Sequence, residues 1–273
     1  MNKKSFLILF FLFVFSGIYS ENMFNEPQVE EGFVTFATKN YFPLLRVLLD
    51  SVHYFSTRPI VVYGVNDDIP FSYQDYPRMI KRRLDIDFKK ESIFYTKPRI
   101  ILESKILKGI YVEADDIIYK GVDALFEQCR LIEKYPLCPR HVSDPDNQQN
   151  IMHALGVSKK SMPYVHGHVI FSNSCMPFIR EWYKTCLALH DLRPANWDET
   201  ILNVLLWRYN VTKYADVFDP SYRWLDYFLA GDIPPRLYPF SNVHCYMFHG
   251  CKDPKEAHAI FERLIAINKE TSC

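Results

Sequence analysis

The sequence predicts an α/β fold in which a mostly parallel central sheet is covered by helices on both faces. Short runs of β-prone apolar residues alternate along the chain with longer segments whose apolar residues recur every three or four positions. With 273 residues, the chain is long for one such domain and short for two, and no glycine- or serine-rich linker divides it. We therefore expect a single domain over residues 24–273.

The elements follow from the apolar pattern in chain order. Strands are predicted at 32–37, 60–64, 109–112, 168–172 and 245–248, and helices at 42–55, 98–107, 178–190, 200–209 and 255–267. The stretch 219–240 is rich in proline and aromatic residues, which predicts a loop or lid over a site because its aromatic side chains would be costly to leave in water. Ligands of such sheets bind beyond the carboxyl ends of the strands.

The first 20 residues predict a secretory signal. Lys3 and Lys4 precede an uninterrupted apolar run that small residues follow up to Ser20. The run has roughly 15 residues, fewer than the ~20 of a membrane-spanning helix, so cleavage is favoured over a membrane anchor formed by residues 5–19. Either outcome places the rest of the chain in the lumen of the secretory pathway or outside the cell.

Composition agrees with an exported globular protein. Thirty-two basic residues balance 32 acidic ones without a long basic run, so we expect no nucleic-acid partner. The seven cysteines all lie in the second half, where export makes disulfides available, and their odd number leaves at least one over. Asn210-Val211-Thr212 matches the N-glycosylation acceptor pattern.

Three carboxylates follow the strand predicted at 109–112, namely Glu113, Asp115 and Asp116. Carboxylates one residue apart after a strand can approach one metal ion because the chain turns there. A hard divalent cation held by oxygen ligands is a common way to neutralise a diphosphate leaving group. The cluster alone fits a solvated loop equally well.

The segment 109–127 resembles glycosyltransferases of the GT-A fold, family 8 and its relatives, whose pattern is Y-L-D-A-D followed by G-D-x-x-x-L-F. Here Tyr111-Val112-Glu113-Ala114-Asp115 precedes Gly121-Val122-Asp123-Ala124-Leu125-Phe126. The resemblance implies a Rossmann-like GT-A domain, a Mn²⁺ or Mg²⁺ cofactor and a nucleotide-diphosphate sugar donor, with UDP as the expected nucleotide. It also implies that Asp115 is the principal metal ligand and that Glu113 replaces the first aspartate, near the metal or the ribose.

Two later segments fall in the family's order. Residues 198–203, D-E-T-I-L-N, resemble the D-Q-D-x-L-N helix start that faces the sugar, which makes Asp198 and Glu199 the candidates for catalysis. Asp198 also suits a helix N-cap. His166-Gly167-His168 stands where the family has N-(A/S)-G, and we expect Gly167 to let the backbone approach the donor.

The third segment, 248–254, is similar to the family's H-F-x-G-x-x-K-P, but Met247 stands at the metal-binding histidine. Methionine is a poor ligand for Mg²⁺ or Mn²⁺, so His249, on the same face of an extended segment, is the expected replacement ahead of His244. Lys252 can reach a phosphate as a point charge. Lys97 and Arg99 precede the acidic strand, where the resembled enzymes carry a cation for the nucleotide phosphates.

The favoured hypothesis is a metal-dependent glycosyltransferase acting on a glycan, protein or lipid acceptor. The alternative is an exported binding protein on a degenerate transferase fold, which Met247 and Glu113 favour. Nucleotide binding that requires a divalent metal separates the two. A secreted hydrolase is disfavoured because the chain has no G-x-S-x-G or Cys/His signature. Retention or inversion of the sugar stereochemistry stays open.

Overall fold

The computed structural model describes residues 28–140, 148–191, 198–214, 222–226, 245–249 and 252–271. The predicted signal or anchor and His244 lie outside these residues, and of His249 only the backbone is described. Among the described helices, none has the length and apolar character needed to cross a membrane.

The described part of the chain contains eight strands and seven α-helices. The strands are β1 Val29–Ala37, β2 Ile60–Val65, β3 Met79–Leu84, β4 Ile106–Tyr111, β5 Ile117–Ile118, β6 Val169–Ser172, β7 Tyr222–Asp226 and β8 Cys245–His249. The helices are α1 Phe42–Phe55, α2 Thr96–Glu103, α3 Leu125–Gln128, α4 Gln149–Ala154, α5 Met176–Ala188, α6 Asp198–Arg208 and α7 Pro254–Thr271. Short 3-10 helices precede or follow several of these elements, at Lys39–Tyr41, Ile93–Tyr95, Val122–Ala124, Cys129–Leu131 and Asn173–Cys175.

The central sheet has the strand order β3-β2-β1-β4-β6. Strands β1 to β4 are parallel to one another, and only β6, at the edge beside β4, is antiparallel. The sheet is therefore mostly parallel, as the sequence predicts. All six residues of β2 are buried, which fits a parallel strand covered from both sides.

Helices cover both faces because the chain crosses the sheet in two directions. From β1 it passes through α1 to β2, on one side of β1, and from β3 it passes through α2 to β4, on the other side. Right-handed crossovers in opposite directions place α1 and α2 on opposite faces. Helix α7 packs against α1, while α5 packs against α2 and α6. The direction changes between β1 and β4, which makes the carboxyl ends of these two strands the expected ligand site.

A second sheet, of order β5-β8-β7, begins directly after the acidic turn. Strand β5 pairs antiparallel with β8, so that Ile117 faces Phe248, and β7 runs parallel to β8. The prediction that 219–240 is a loop or lid is wrong in part, since residues 222–226 form β7. Tyr227 and Phe228 lie outside the described residues.

The helix predicted at 98–107 ends early, at Glu103. Lys105 has a positive φ of 56°, which a right-handed helix does not accommodate. The hydroxyl of Ser104 donates to the Ile101 carbonyl and accepts from the Ile106 amide, and the chain then enters β4. The apolar residues at 106 and 107 therefore continue the helical spacing by coincidence and belong to a strand.

Four cysteines have described side chains, and all four are buried free thiols, namely Cys129, Cys138, Cys175 and Cys186. Burial raises the pKa of Cys129 and of Cys175 to about 12, so both are held as unreactive thiols. The side chain of Cys245 and the residues Cys251 and Cys273 fall outside what the structure describes.

Candidate functional site

A cavity of about 580 Å³ lies at the carboxyl ends of β1 and β4, where the crossover direction changes. Its volume is in the range of small-molecule binding sites. The residues that line it are Phe36, Ala37, Thr38, Tyr41, Phe88, Ile93, Phe94, Lys97, Glu113, Ala114, Asp115, Asp198, Glu199 and Lys252. Six of the eight candidate residues with described side chains are in this set.

The acidic cluster folds into a tight turn that separates its three carboxylates. The Asp116 amide donates to the Glu113 carbonyl over 3.1 Å, and the Glu113 amide donates to Oδ2 of Asp116 over 2.7 Å. The same Oδ2 lies 2.9 Å from Nε2 of His168, and the Asp116 side chain is fully buried. Asp116 therefore braces the turn from inside, while Glu113 and Asp115 line the cavity.

Lys97 joins both acidic parts of the site. Its Nζ lies 2.8 Å from Oε1 of Glu113 and 3.3 Å from Oδ2 of Asp198, and its side chain is only 8% exposed. Burial lowers the pKa of this ammonium, but the charges of Asp198, Glu113 and Glu199 outweigh burial and raise the pKa above its usual value. Lys97 therefore stays charged and holds α2 to the acidic turn and to the start of α6.

Tyr111 completes the surroundings of Glu113. Its hydroxyl donates to Oε2 of Glu113 over 2.6 Å, and Lys97 Nζ lies 5.0 Å from the centre of its ring. Residues 111 and 113 point the same way at the end of a strand. Both carboxylate oxygens of Glu113 thus have a partner, which fixes the side chain against the cavity wall.

Asp198 and Glu199 form the first turn of α6, whose side chains are almost all buried. Burial raises the pKa of Asp198 to about 6, with Lys97 opposing and Glu113 supporting the rise. Within the described part of the chain, Oδ2 of Asp198 accepts no hydrogen bond, although it lies beside Lys97. A carboxylate with a pKa close to neutral suits a group that takes up a proton.

Gly167 lies behind Lys97 and Glu199. Its amide donates to Oε2 of Glu199 over 2.7 Å. A Cβ at this position would lie 2.2 Å from Lys97 Nζ and 3.2 Å from that same Oε2, so a larger residue would have to displace the Lys97 ammonium. The amide of Asn203 clamps this segment to α6, since its Oδ1 and Nδ2 each bond the Val165 backbone over 2.8 Å.

Lys252 enters the cavity from the C-terminal segment, just before α7. Its ammonium donates to Oδ2 of Asp115 and lies 5.4 Å from the centre of the Tyr41 ring. Burial lowers the pKa of Lys252, but the hydrogen bond and charge of Asp115 outweigh burial and raise it. Residues 137 positions apart in sequence thus meet in one ion pair.

The charges that line the cavity do not cancel. Among the described lining residues, four carboxylates face two ammonium groups, which leaves a net charge of minus two. Such a cavity repels a diphosphate unless a further cation enters with it.

Comparison with known proteins finds relatives in structure only. No protein-family model matches the chain, and no curated protein gives a significant match. The apo structure of the bifunctional glycosyltransferase WbbM is similar with a TM-score of 0.55, over 83% of this chain and 47% of that one, at 11% sequence identity. The chain shares the α/β fold of the matching part of WbbM. It spans about half the length of the WbbM chain, and the similarity at this identity concerns the fold alone.

Two predicted site residues, Arg99 and Gly167, do not line the cavity. The Arg99 guanidinium pairs instead with Glu91 at 3.2 Å and Glu103 at 3.0 Å, and Gly167 lies behind Lys97 and Glu199. His249 lies at the end of β8, one residue beyond the pair Ile117–Phe248, so its backbone runs beside the acidic turn. The role of the His249 side chain stays a prediction.

The donor chemistry of the cavity fits a hard divalent cation. Glu113 and Asp115 offer carboxylate oxygens, which Mg²⁺ and Mn²⁺ prefer, and the Asp115 carboxylate already binds an ammonium cation. Among the side chains that the structure describes, no group of three histidine, cysteine or carboxylate residues could hold a metal. Two protein ligands would leave the other positions to the substrate, to water or to His249.

Sequence reasoning included Tyr111 and Asp116 in the acidic motif but did not predict their supporting roles, and it missed the aromatic wall of the cavity. Tyr111 had a usable signal, since it lies two residues before Glu113 on a strand and shares its face. Phe88 and Phe94 had none, because they lie in or beside irregular chain and reach the cavity only through the fold. The rings of His166 and His168 lie 5.6 Å apart, and Nε2 of His168 lies 2.9 Å from Oδ2 of Asp116.

Proposed function

We propose that this chain transfers a sugar from a nucleotide diphosphate, with UDP as the nucleotide, to a glycan, protein or lipid acceptor. One observation carries the proposal. On a glycosyltransferase fold, the cavity at the topological switch point gathers four carboxylates and two lysines that are spread from residue 97 to residue 252. This is where α/β sheets bind ligands and where a diphosphate needs cationic and metal-binding groups.

The diphosphate end of the site lies at Asp115 and Lys252. In the proposal, Asp115 holds a Mn²⁺ or Mg²⁺ ion, with Glu113 and His249 as the further ligands. A bound divalent cation would neutralise the charge that develops on the departing diphosphate. The net charge of minus two in the cavity supports the need for this cation. Lys252, whose ammonium lies at the cavity edge, binds a phosphate oxygen.

The sugar end lies at the start of α6. Asp198 and Glu199 line the cavity, and their backbone is fixed because the Trp182 indole donates to the Asp198 carbonyl over 2.8 Å. We assign Glu199, anchored by the Gly167 amide, to orienting the sugar. Asp198, with its pKa near 6, is assigned to taking the acceptor proton. Lys97 keeps both groups in place and is a positioning residue.

Aromatic side chains at the cavity support a ligand that contains rings. Of the seven large apolar side chains that are exposed in the described chain, three line this one cavity, namely Tyr41, Phe88 and Phe94. Phe88 is 55% exposed. Flat aromatic faces stack against a base or the apolar face of a sugar, which would remove this surface from water.

The proposed compartment is the lumen of the secretory pathway or the exterior. It rests on the N-terminal sequence and on the acceptor triplet at Asn210. Asn210 is exposed and lies two residues beyond the end of α6, with a positive φ of 53°. Cleavage of the signal or retention of residues 5–19 as an anchor stays a prediction.

Thermal stabilisation by nucleotide-sugars tests the proposed function. A ligand that binds only the native chain raises its apparent stability, by about 2.7 kcal/mol at a hundredfold excess over Kd. We expect UDP-sugars to raise the melting temperature with Mn²⁺ present, and less when Mn²⁺ is chelated. A binding module on a degenerate fold would show no metal-dependent stabilisation by any UDP-sugar. That result would overturn the proposed activity.

A further inference from the structure

Lys252 has a backbone held by the helix that follows it and a side chain that is largely exposed. The helix that follows it, α7, begins with the Asp253 carboxylate accepting from the Lys255 amide over 2.9 Å. Ala257, Phe261 and Leu264 of α7 are buried in a cluster with residues of α1. The start of the Lys252 side chain is thereby held at the cavity, while the side chain itself is 64% exposed.

The two partners of the Lys252–Asp115 ion pair differ in burial. The Asp115 side chain is 4% exposed, against 64% for Lys252. A buried carboxylate that loses its cation has a high free energy, whereas a lysine that swings into water recovers its hydration. Breaking this pair therefore costs Asp115 more than it costs Lys252, and Lys252 is the partner that another cation can replace.

The other lysine of the cavity is not replaceable in this way. Lys97 is 8% exposed, contacts two carboxylates, and lies 5.0 Å from the Tyr111 ring centre. An ammonium so enclosed has no short path to water. The cavity thus combines one permanent internal cation with one exchangeable cation, and the exchangeable one sits on the carboxylate assigned to the metal.

We propose that Lys252 is an exchangeable counter-ion of Asp115, which must leave that carboxylate before a divalent cation can bind it. This inference rests on the proposed function. The diphosphate of the donor supplies the new partner that draws Lys252 away. Metal and nucleotide consequently bind with positive coupling, and the coupling is the same in both directions. Metal alone binds weakly because it has to displace the ammonium.

Manganese titrations of the full chain test the exchange directly. Free Mn²⁺ is followed by its electron paramagnetic resonance signal, with and without saturating UDP. In the wild type we expect weak binding of Mn²⁺ alone and at least tenfold tighter binding with UDP. In Lys252→Met we expect Mn²⁺ alone to bind at least tenfold more tightly than in the wild type, and UDP to add much less.

Two further variants separate exchange from a general change of charge. Lys255→Met removes one positive charge three residues away, at an exposed position, and should behave as the wild type. Lys252→Arg keeps the charge and can pair with Asp115 through two nitrogens, so it should weaken the binding of Mn²⁺ alone. Circular dichroism of each variant confirms that the fold is retained.

The outcomes distinguish this inference from the proposed function. If Lys252→Met binds Mn²⁺ no more tightly than the wild type while UDP still enhances Mn²⁺ binding, the exchange is refuted and the glycosyltransferase proposal stands. If UDP binds equally well without Mn²⁺, the exchange and the metal requirement both fail. If the wild type binds neither UDP nor Mn²⁺, the proposed function itself fails.

Discussion

Lys97→Met should destabilise the protein far more than the loss of an ordinary lysine does. The ammonium is 8% exposed and lies 2.8 Å from Glu113 and 3.3 Å from Asp198. Methionine keeps most of the side-chain volume, so the main change is that Asp198, 7% exposed, and Glu113, 24% exposed, lose their shared cation. Removing one partner of a buried ion pair costs about 3–5 kcal/mol. For a chain of this size that lowers Tm by roughly 6–20 °C, at about 2–4 °C per kcal/mol.

Lys108→Met is the matched control. Lys108 also contacts two carboxylates, with Nζ 3.1 Å from Glu30 and 3.4 Å from Glu31. The Lys108 side chain is 28% exposed and that of Glu30 is 69% exposed, so water solvates both when the pair is broken. Glu31 is 15% exposed, but it keeps the Arg58 guanidinium at 2.7 Å as a second cation. The Tm of Lys108→Met should therefore stay close to that of the wild type. Thermal and urea denaturation of the three proteins gives the comparison.

The loss in Lys97→Met should also depend on pH, with a defined sign. Burial raises the pKa of Asp198 from 3.8 to about 6 while Lys97 opposes the rise, so removing Lys97 raises that pKa further. At about pH 5 the folded variant then binds a proton that the unfolded chain does not, which stabilises the folded state. Stability lost at about pH 8 should be partly recovered at pH 5. An equal loss at both pH values, or one no larger than in Lys108→Met, would refute the reasoning.

Three further predictions concern the proposed chemistry and location. Asp115→Asn should keep the fold but reduce nucleotide-sugar turnover roughly a thousandfold, since losing a metal ligand costs several kcal/mol and each ~1.4 kcal/mol is tenfold. The control is Asp68→Asn, which breaks an exposed ion pair with Arg83. If the activity of Asp115→Asn stays within a few-fold of the wild type, the metal site loses its support. As pH falls through about 6, kcat/KM should fall because Asp198 becomes protonated. This pH dependence should be absent in Asp198→Asn. If the variant still shows it, the pH dependence belongs to another group. Expression with microsomes should give a protease-protected chain with glycan on Asn210, and an unmodified cytosolic product would contradict export.

Much of the fold could be predicted because the buried elements have regular apolar spacing. Helix α1 has the predicted bounds, Phe42–Phe55, since its apolar residues recur on one face and Pro43 lies in its first turn. Strand β3, Met79–Leu84, was not predicted because it carries three consecutive basic residues. It lies at the sheet edge, where Lys81 and Arg82 reach carbonyl oxygens and the apolar alternation of a half-buried strand is lost.

The candidate site could be predicted only as two separate pieces. The acidic turn and the start of α6 each had a local pattern, but their connection through Lys97 depends on how α2 packs across the sheet. Likewise the contact of Lys252 with Asp115 follows from α7 lying on α1, which no local pattern encodes. Arg99 shows that a similar local pattern does not ensure a place in the site. It lies two residues after Lys97 on α2, but its side chain pairs with Glu91 and Glu103 away from the cavity.

Only the structure shows that the three acidic residues of the turn have different roles. In the sequence, Glu113, Asp115 and Asp116 are three similar carboxylates within four positions. In the fold, Asp116 is fully buried, and its Oδ2 accepts from the Glu113 amide and lies 2.9 Å from Nε2 of His168. Such a carboxylate shapes the turn, and it is not among the residues that line the cavity. The acidic turn is left with Glu113 and Asp115 at the cavity. Glu113 is bound by an enclosed lysine and Asp115 by a lysine that can leave, so the principal role in accepting an incoming cation falls on Asp115, with Glu113 as a further ligand.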